Sequence, residues 1–434
     1  MLLIFIFILF FVFTFIYVSK RSFVFSLAYA LLFLYTIFTQ FAYLLYPEKL
    51  ALFSGGQYYG VEFFLPYWMY ISLSFAFIFV FFIILYGKDY NSSIRLEISG
   101  NFKNKKFYNL LYFTIIIVYE ILMLAFLLKN YSTLSYYTQD ILKRNTFWFY
   151  LFDINGIVLL SIFCGFLIEK NKLTRVFYLS IFVISSSIFI VTSMRAGQRI
   201  EVFNTLLAFT SFLWIYFLKG LHNKKGKLGI LLFLFFVIFI FIGFSQGVRT
   251  LRGSTINIAS LIDILKRPRT YLTFFSFESL VFQDWLEPSL TLVTSMKYEI
   301  ISPSLVLESN LKVFIPFILH PSLGGILSRI IDPTGQTGYG YYILTEGYNF
   351  MGLLGFLYSS FIFVVGFKLW ELIFTKTKDN MFNSFMCGII AFSYISIIRG
   401  QSISFIKVIY LYFIPAILLF RFMSGKRIYL VKSK

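Results

Sequence analysis

Residues 2–18 read LLIFIFILFFVFTFIYV, a run with no charge and only Thr14 and Tyr17 to interrupt the hydrocarbon. A helix needs about 20 apolar residues to cross a bilayer, so this run, extended to Lys20, is long enough to span. It lacks a basic leading region and a small-residue cleavage site, so it reads as a retained helix and not a signal peptide. Ten further runs follow, at 22–46, 64–87, 107–128, 148–169, 176–193, 199–218, 228–246, 347–370, 381–397 and 403–421. The expected fold is therefore an all-α integral membrane protein of about 11 transmembrane helices.

Composition agrees. Of 434 residues, 59% are hydrophobic, 22% aromatic and only 13% charged, with a mean hydropathy of +0.82. A soluble domain averages about 25% charged residues and could not bury so much apolar surface. The wealth of Phe (60) and Tyr (31) fits an A+T-rich coding region as well as any ligand site. Cys164 and Cys387 both lie in apolar runs, so no disulfide framework is expected, and with only His222 and His320 a multi-histidine metal site is excluded.

The net charge of +19 sorts by side of the membrane before it says anything about nucleic acid. One set of alternate loops comprises Lys20/Arg21, 88–106, 170–175, 219–227, 368–380 and the tail from Arg421. It carries 22 basic residues against 16 in the other set, of which 8 lie in the single long segment 247–346. Long loops cross largely regardless of charge. The richer set is thus cytoplasmic, which puts the N-terminus outside, the C-terminus inside and 247–346 outside. Three regions result: helices 1–8 over residues 1–246, the exterior segment 247–346, and helices 9–11 with a cytoplasmic tail over 347–434.

The exterior segment is rich in aromatics and aliphatics, as in RTYLTFFSFESLVFQDWLEP (269–288). It is broken by Pro268, Pro288, Pro303, Pro316 and Pro321, a pattern of short interfacial helices. IDPTGQTGYGYY (331–342) has the composition of a loop over a cavity. No internal duplication is visible, which counts against the inverted repeats of many transporters.

Arginines gather at the exterior helix ends. TSMRAGQR supplies Arg195 and Arg199, GFSQGVRTLRG supplies Arg249 and Arg252, and IIRGQS supplies Arg399, with Lys407 a little further on. Arginines at helix ends can simply anchor to headgroups. Three hairpins delivering them to the face that should be depleted in cations favour an anion site, because guanidinium forks match phosphate oxygens bidentately. Gly197, Gly247, Gly253 and Gly400 lie within two residues of them. Candidate proton acceptors are Glu346, where the chain re-enters the membrane in LTEGYNFMGLLG, and His320 in FILHPSLGG. Both have plainer readings, as a helix-capping carboxylate and an interfacial residue before a proline turn. Glu120, within the fourth run, is expected to form an internal ion pair, and Asp153 and Glu201 to neutralise nearby arginines. No nucleotide, zinc or hydrolase motif is present. Outside the cell there are no nucleotide sugars, so exterior chemistry must draw on a lipid-activated donor.

Eleven helices, one large late exterior loop, TSMRAGQR, GVRTLRG, the Glu346 segment and IRGQS together resemble the Wzy-type O-antigen (oligosaccharide repeat unit) polymerases. The Arg195 segment is similar to that family's Ser-x-Arg-Gly turn, with Met194 and Ala196 as departures. Glu346–Gly355 is similar to its Glu-x-Tyr…Gly-x-x-Gly pattern. The resemblance implies an inverting, metal-independent glycosyltransferase with no cofactor, at the periplasmic face of the bacterial inner membrane, acting in surface-polysaccharide (lipopolysaccharide O-antigen) biosynthesis. A growing glycan would pass from undecaprenyl pyrophosphate to an incoming lipid-linked repeat unit, with a chain-length regulator as partner. Arg195, Arg249 and Arg399 would hold the pyrophosphate, with Arg199 and Arg252 nearer the rim. Glu346, or failing it His320, would act as base, while loop 331–345 closes over the glycans and Tyr339, Tyr341 and Tyr342 stack on sugars. An O-antigen ligase would share most of this layout, with His320 then matching that family's loop histidine. A lipid-linked oligosaccharide flippase or exporter would instead place cations along a central path.

Overall fold

A computed structural model describes residues 1–53, 61–87, 94–101, 105–130, 151, 153–196, 199–218, 281, 286–299, 301–313, 323, 326–327, 341–375 and 377–432. These residues are overwhelmingly helical. Eight helices among them are long and apolar enough to cross a membrane. Of the three other expected spans, two are present as shorter apolar helices, Asn155–Ile168 and Glu201–Phe217, and residues 228–246 lie outside the described residues.

The chain divides into two compact units. The first comprises Met1–Asn91, Ser276–Glu371 and Tyr394–Lys407, and the second Ser92–Phe275, Leu372–Ser393 and Val408–Lys434. The described helices of residues 247–346 belong to the first unit.

In the first unit, α1 (Leu2–Arg21) and α2 (Phe23–Leu45) meet at Ser22, whose hydroxyl caps α2 by accepting from the Phe25 amide at 3.0 Å. After α3 (Pro47–Phe53) comes α4 (Phe64–Tyr86). Aromatic packing joins these helices: Phe11 stacks on Phe33, Phe7 meets Phe75 edge-on, and Phe25 lies against Phe82. Between helices in lipid there is little hydrophobic driving force, so van der Waals fit of this kind carries association. At one end of the unit the Arg21 guanidinium donates to the Tyr86 carbonyl at 3.2 Å. Toward the other, Thr39 pairs with Ser289, and the Tyr70 hydroxyl donates to the Leu344 carbonyl at 3.0 Å. That second end therefore collects α9 (Leu286–Tyr298), α10 (Pro303–Val313) and α11 (Ile343–Met351).

The expected helix over 347–370 is two helices. α11 stops at Met351, Gly352 takes φ +59°, and α12 runs over Gly355–Phe374. The two fold back on each other: a Cβ on Gly355 would lie 1.9 Å from the Gly347 carbonyl oxygen, and the Ser359 hydroxyl donates to the Ile343 carbonyl at 3.2 Å. In a straight helix residues 347 and 355 would be about 12 Å apart. The run Ile343–Phe374 is therefore a helical hairpin whose single spanning arm is α12. Its apex exposes Met351, Leu353 and Leu354.

The second unit holds α5 (Lys105–Asn130), α6 (Asn155–Ile168), α7 (Lys172–Ala196), α8 (Arg199–Leu213) and α13 (Asn380–Phe392). α14 (Tyr394–Ile398) and α15 (Ser404–Val408) lie in the first unit, and α16 (Ile414–Ser424) in the second. Phe163 packs among Phe182, Phe209 and Phe212.

Among the described residues, one pair of strands accompanies the helices. Strands β1 (Ile94–Asn101) and β2 (Lys426–Lys432) form an antiparallel ribbon in the second unit, with Leu96 opposite Leu430 and Ile98 opposite Ile428. Alternation puts Leu96, Ile98 and Ile428 on one face and Glu97, Arg427 and Tyr429 on the other. Segments sharing a ladder lie on one side of any membrane, so an even number of crossings separates them. The eight expected spans between them meet that condition.

Candidate functional site

Glu346 lies in the first turn of α11 and is fully buried at 0% exposure. Its carboxylate does not cap its own helix. Instead it takes donors from three other stretches of chain. Oε1 accepts from the Asn310 amide at 2.7 Å and the Ser402 hydroxyl at 2.7 Å, with the Tyr358 hydroxyl at 3.4 Å. Oε2 accepts from the Ser402 backbone amide. An isolated charge in such surroundings would be very costly, and these charge-assisted bonds offset that cost. Around the carboxylate, Asn310, Ser402 and Tyr358 are only half-buried.

Two further bonds fasten the same place. The Gln401 amide donates to the Ser309 hydroxyl at 2.9 Å, and the Tyr341 backbone amide donates to the Arg399 carbonyl at 3.1 Å. The turn that follows α14 is thus clasped to α10 and to the start of α11. Arg399 sits in that turn, half-buried, and among the described residues no carboxylate pairs with its guanidinium. Beneath the hub, Ile301, Val306, Leu323, Leu327 and Tyr341 form a small apolar cluster that seats α10.

The residues singled out in the sequence distribute as follows. Glu346 and the turn bearing Arg399 come together. Arg195 lies in the last turn of α7 and Arg199 opens α8, both in the second unit. Arg249, Arg252, His320 and Tyr339 lie outside the described residues, as does most of loop 331–345. Tyr341 and Tyr342 were expected to stack on sugars, but both are buried within the protein. The Tyr341 hydroxyl accepts from the Asn349 amide at 3.0 Å. Burial, reinforced by the nearby Glu346 carboxylate, pushes its phenol well above the usual range, so it stays neutral. Glu120 was expected in an ion pair; among the described residues no cation pairs with it.

Asn310 and Tyr358 carried no signal in the sequence, since each is an ordinary polar residue with nothing to mark its partner. Gln401 and Ser402 stood inside the IRGQS stretch but were not marked. No metal-competent group of His, Cys, Asp and Glu occurs among the described residues. Compared with protein-family models, curated proteins and solved structures, the chain matches none.

Proposed function

We propose that the chain is a Wzy-type polymerase of a bacterial surface polysaccharide, working at the periplasmic face of the inner membrane on undecaprenyl-pyrophosphate-linked glycans. The observation that carries this reading is the hub itself: a buried carboxylate clasping the turn that bears a guanidinium with no carboxylate partner among the described residues. A base and an anion binder on neighbouring segments are what transfer from a pyrophosphate donor to a hydroxyl requires.

In this mechanism the acceptor sugar hydroxyl loses its proton to Glu346 and its oxygen attacks the anomeric carbon of the growing chain. The bond from that carbon to the pyrophosphate breaks, and the electron pair leaves with undecaprenyl pyrophosphate. Arg399 stabilises the charge that grows on the leaving group. Arg195, Arg249, Arg199 and Arg252 are further candidates for pyrophosphate binding on sequence grounds, and His320 the reserve base. Lining the carboxylate with Asn310, Ser402 and Tyr358 keeps bulk water away from the reacting centre.

The test uses purified full-length protein in nanodiscs, with lipid-linked repeat unit extracted from its host and neither metal nor nucleotide. A glycan ladder with release of undecaprenyl pyrophosphate, both lost in Arg399→Ala, is the expected result. Transfer to lipid A-core with no ladder would replace the polymerase by a ligase. Movement of intact substrate across the bilayer, with no carrier released, would replace it by a transporter.

A further inference from the structure

The hydrogen-bond inventory around Glu346 leaves two acceptors open. A carboxylate offers about four lone-pair positions. Three donors converge on Oε1, whereas Oε2 receives only the Ser402 amide, so Oε2 has room for one more. Asn310 supplies the second. In the ionised form that a general base needs, the carboxylate can only accept, and Asn310 turns its NH2 toward it. Among the described residues its Oδ1, shielded from solvent, has no hydrogen-bond partner. An orphaned buried acceptor costs about 1–3 kcal/mol, and in a folded chain it calls for an explanation.

Bond geometry keeps the two open acceptors within about 7 Å of each other. Hydroxyls on neighbouring carbons of a pyranose, each with a normal hydrogen bond, bridge a gap of that size. We propose that Asn310 Oδ1 and Glu346 Oε2 form a two-point clamp for the acceptor sugar. Oε2 takes the proton of the reacting hydroxyl, and Oδ1 accepts from a hydroxyl or N–H on the adjacent carbon. The inference rests on the polymerase reading and adds a substrate class to it: acceptors with a hydrogen-bond donor next to the reacting hydroxyl. Asn310 thereby determines specificity without touching the donor glycan. Its helix is held independently by the Ser309–Gln401 bond, so changing Asn310 leaves α10 tethered.

The experiment measures, in one reaction on the host's lipid-linked repeat unit, carrier released with glycan transfer and carrier released with free glycan. Free glycan reports attack by water, which needs no clamp. Asn310→Leu should raise the ratio of hydrolysis to transfer at least tenfold while carrier is still released, and Ser309→Ala should leave the ratio near that of the unaltered protein. If transfer and release fall in parallel in Asn310→Leu, or neither falls, the clamp is overturned and the polymerase stands. If the unaltered protein releases no carrier at all, the polymerase reading fails and takes the clamp with it.

Discussion

Two glutamates sit within the hairpin and helix that run from Ile343 to Phe374, and they are used differently. Glu371, in the last turn of α12, is taken up by neighbours within helices. The Ser22 hydroxyl donates to it, and the Phe25 amide, the Tyr86 hydroxyl and the Lys368 ammonium surround it. It is an additional acceptor at the N-terminus of α2, where the positive end of the helix dipole welcomes a carboxylate. Glu346 gathers donors from α10, α12 and the turn after α14, which lie 36, 12 and 56 residues away along the chain. One of its own oxygens keeps an open position, and so does its partner Asn310. A carboxylate set at the start of a helix is a fastening. One held by side chains of two other helices and by the turn after α14, with acceptor capacity left over, has the makings of a reactive site.

Changes at four positions would break or sharpen that contrast. Glu346→Gln should have the largest effect, lowering transfer by about 10²–10⁴, the usual contribution of a general base, while lipid-linked substrate still binds. Normal ladder formation by that variant would remove the base role. Arg399→Ala should lower carrier release by about 10²–10³, with Arg399→Lys recovering part of it, since lysine keeps the charge and loses the fork. An equal loss in alanine and lysine variants would point to shape and not charge. Gly355→Ala should destabilise the protein by about 1–3 kcal/mol, because the added methyl enters the Gly347 carbonyl. Thermal unfolding in detergent reads this, and an unchanged midpoint would argue against the hairpin. Glu371→Gln should cost about 1–2 kcal/mol of stability, from one weakened charge-assisted bond, and change transfer by less than threefold. A deep loss of transfer would erase the distinction between the two glutamates.

Much of the architecture was legible because membrane helices announce themselves by length and apolarity. The pairing of the Glu346 segment with the Arg399 turn was legible for a related reason: two expected crossings between them would return the chain to the face it left. The hairpin was hidden, since YNFMGLLGFLY stays apolar straight through the bend and only the φ of Gly352 and the contact of Gly347 with Gly355 reveal it. The β ribbon was hidden by distance, for period-2 alternation over six or seven residues is a weak signal inside loops. Asn310 and Ser402 were hidden because a polar residue in an exterior loop carries no mark of its partner. Tyr341 and Tyr342 misled, their place beside a glycine-rich loop suggesting sugar stacking where the fold uses them as interior packing.

The ribbon also sets a schedule for folding. β1 emerges early, and its only ladder partner among the described residues is about 320 residues further on, a separation that makes pairing slow. Throughout that interval β1 is an unpaired edge, which is the kind of segment that other chains can capture. Arg95 and Glu97 within it act as charged gatekeepers during the wait. The cell must insert every intervening span before the strand finds its mate, so loss of β2 should show first as poor assembly of newly made protein and only afterwards as weakened structure.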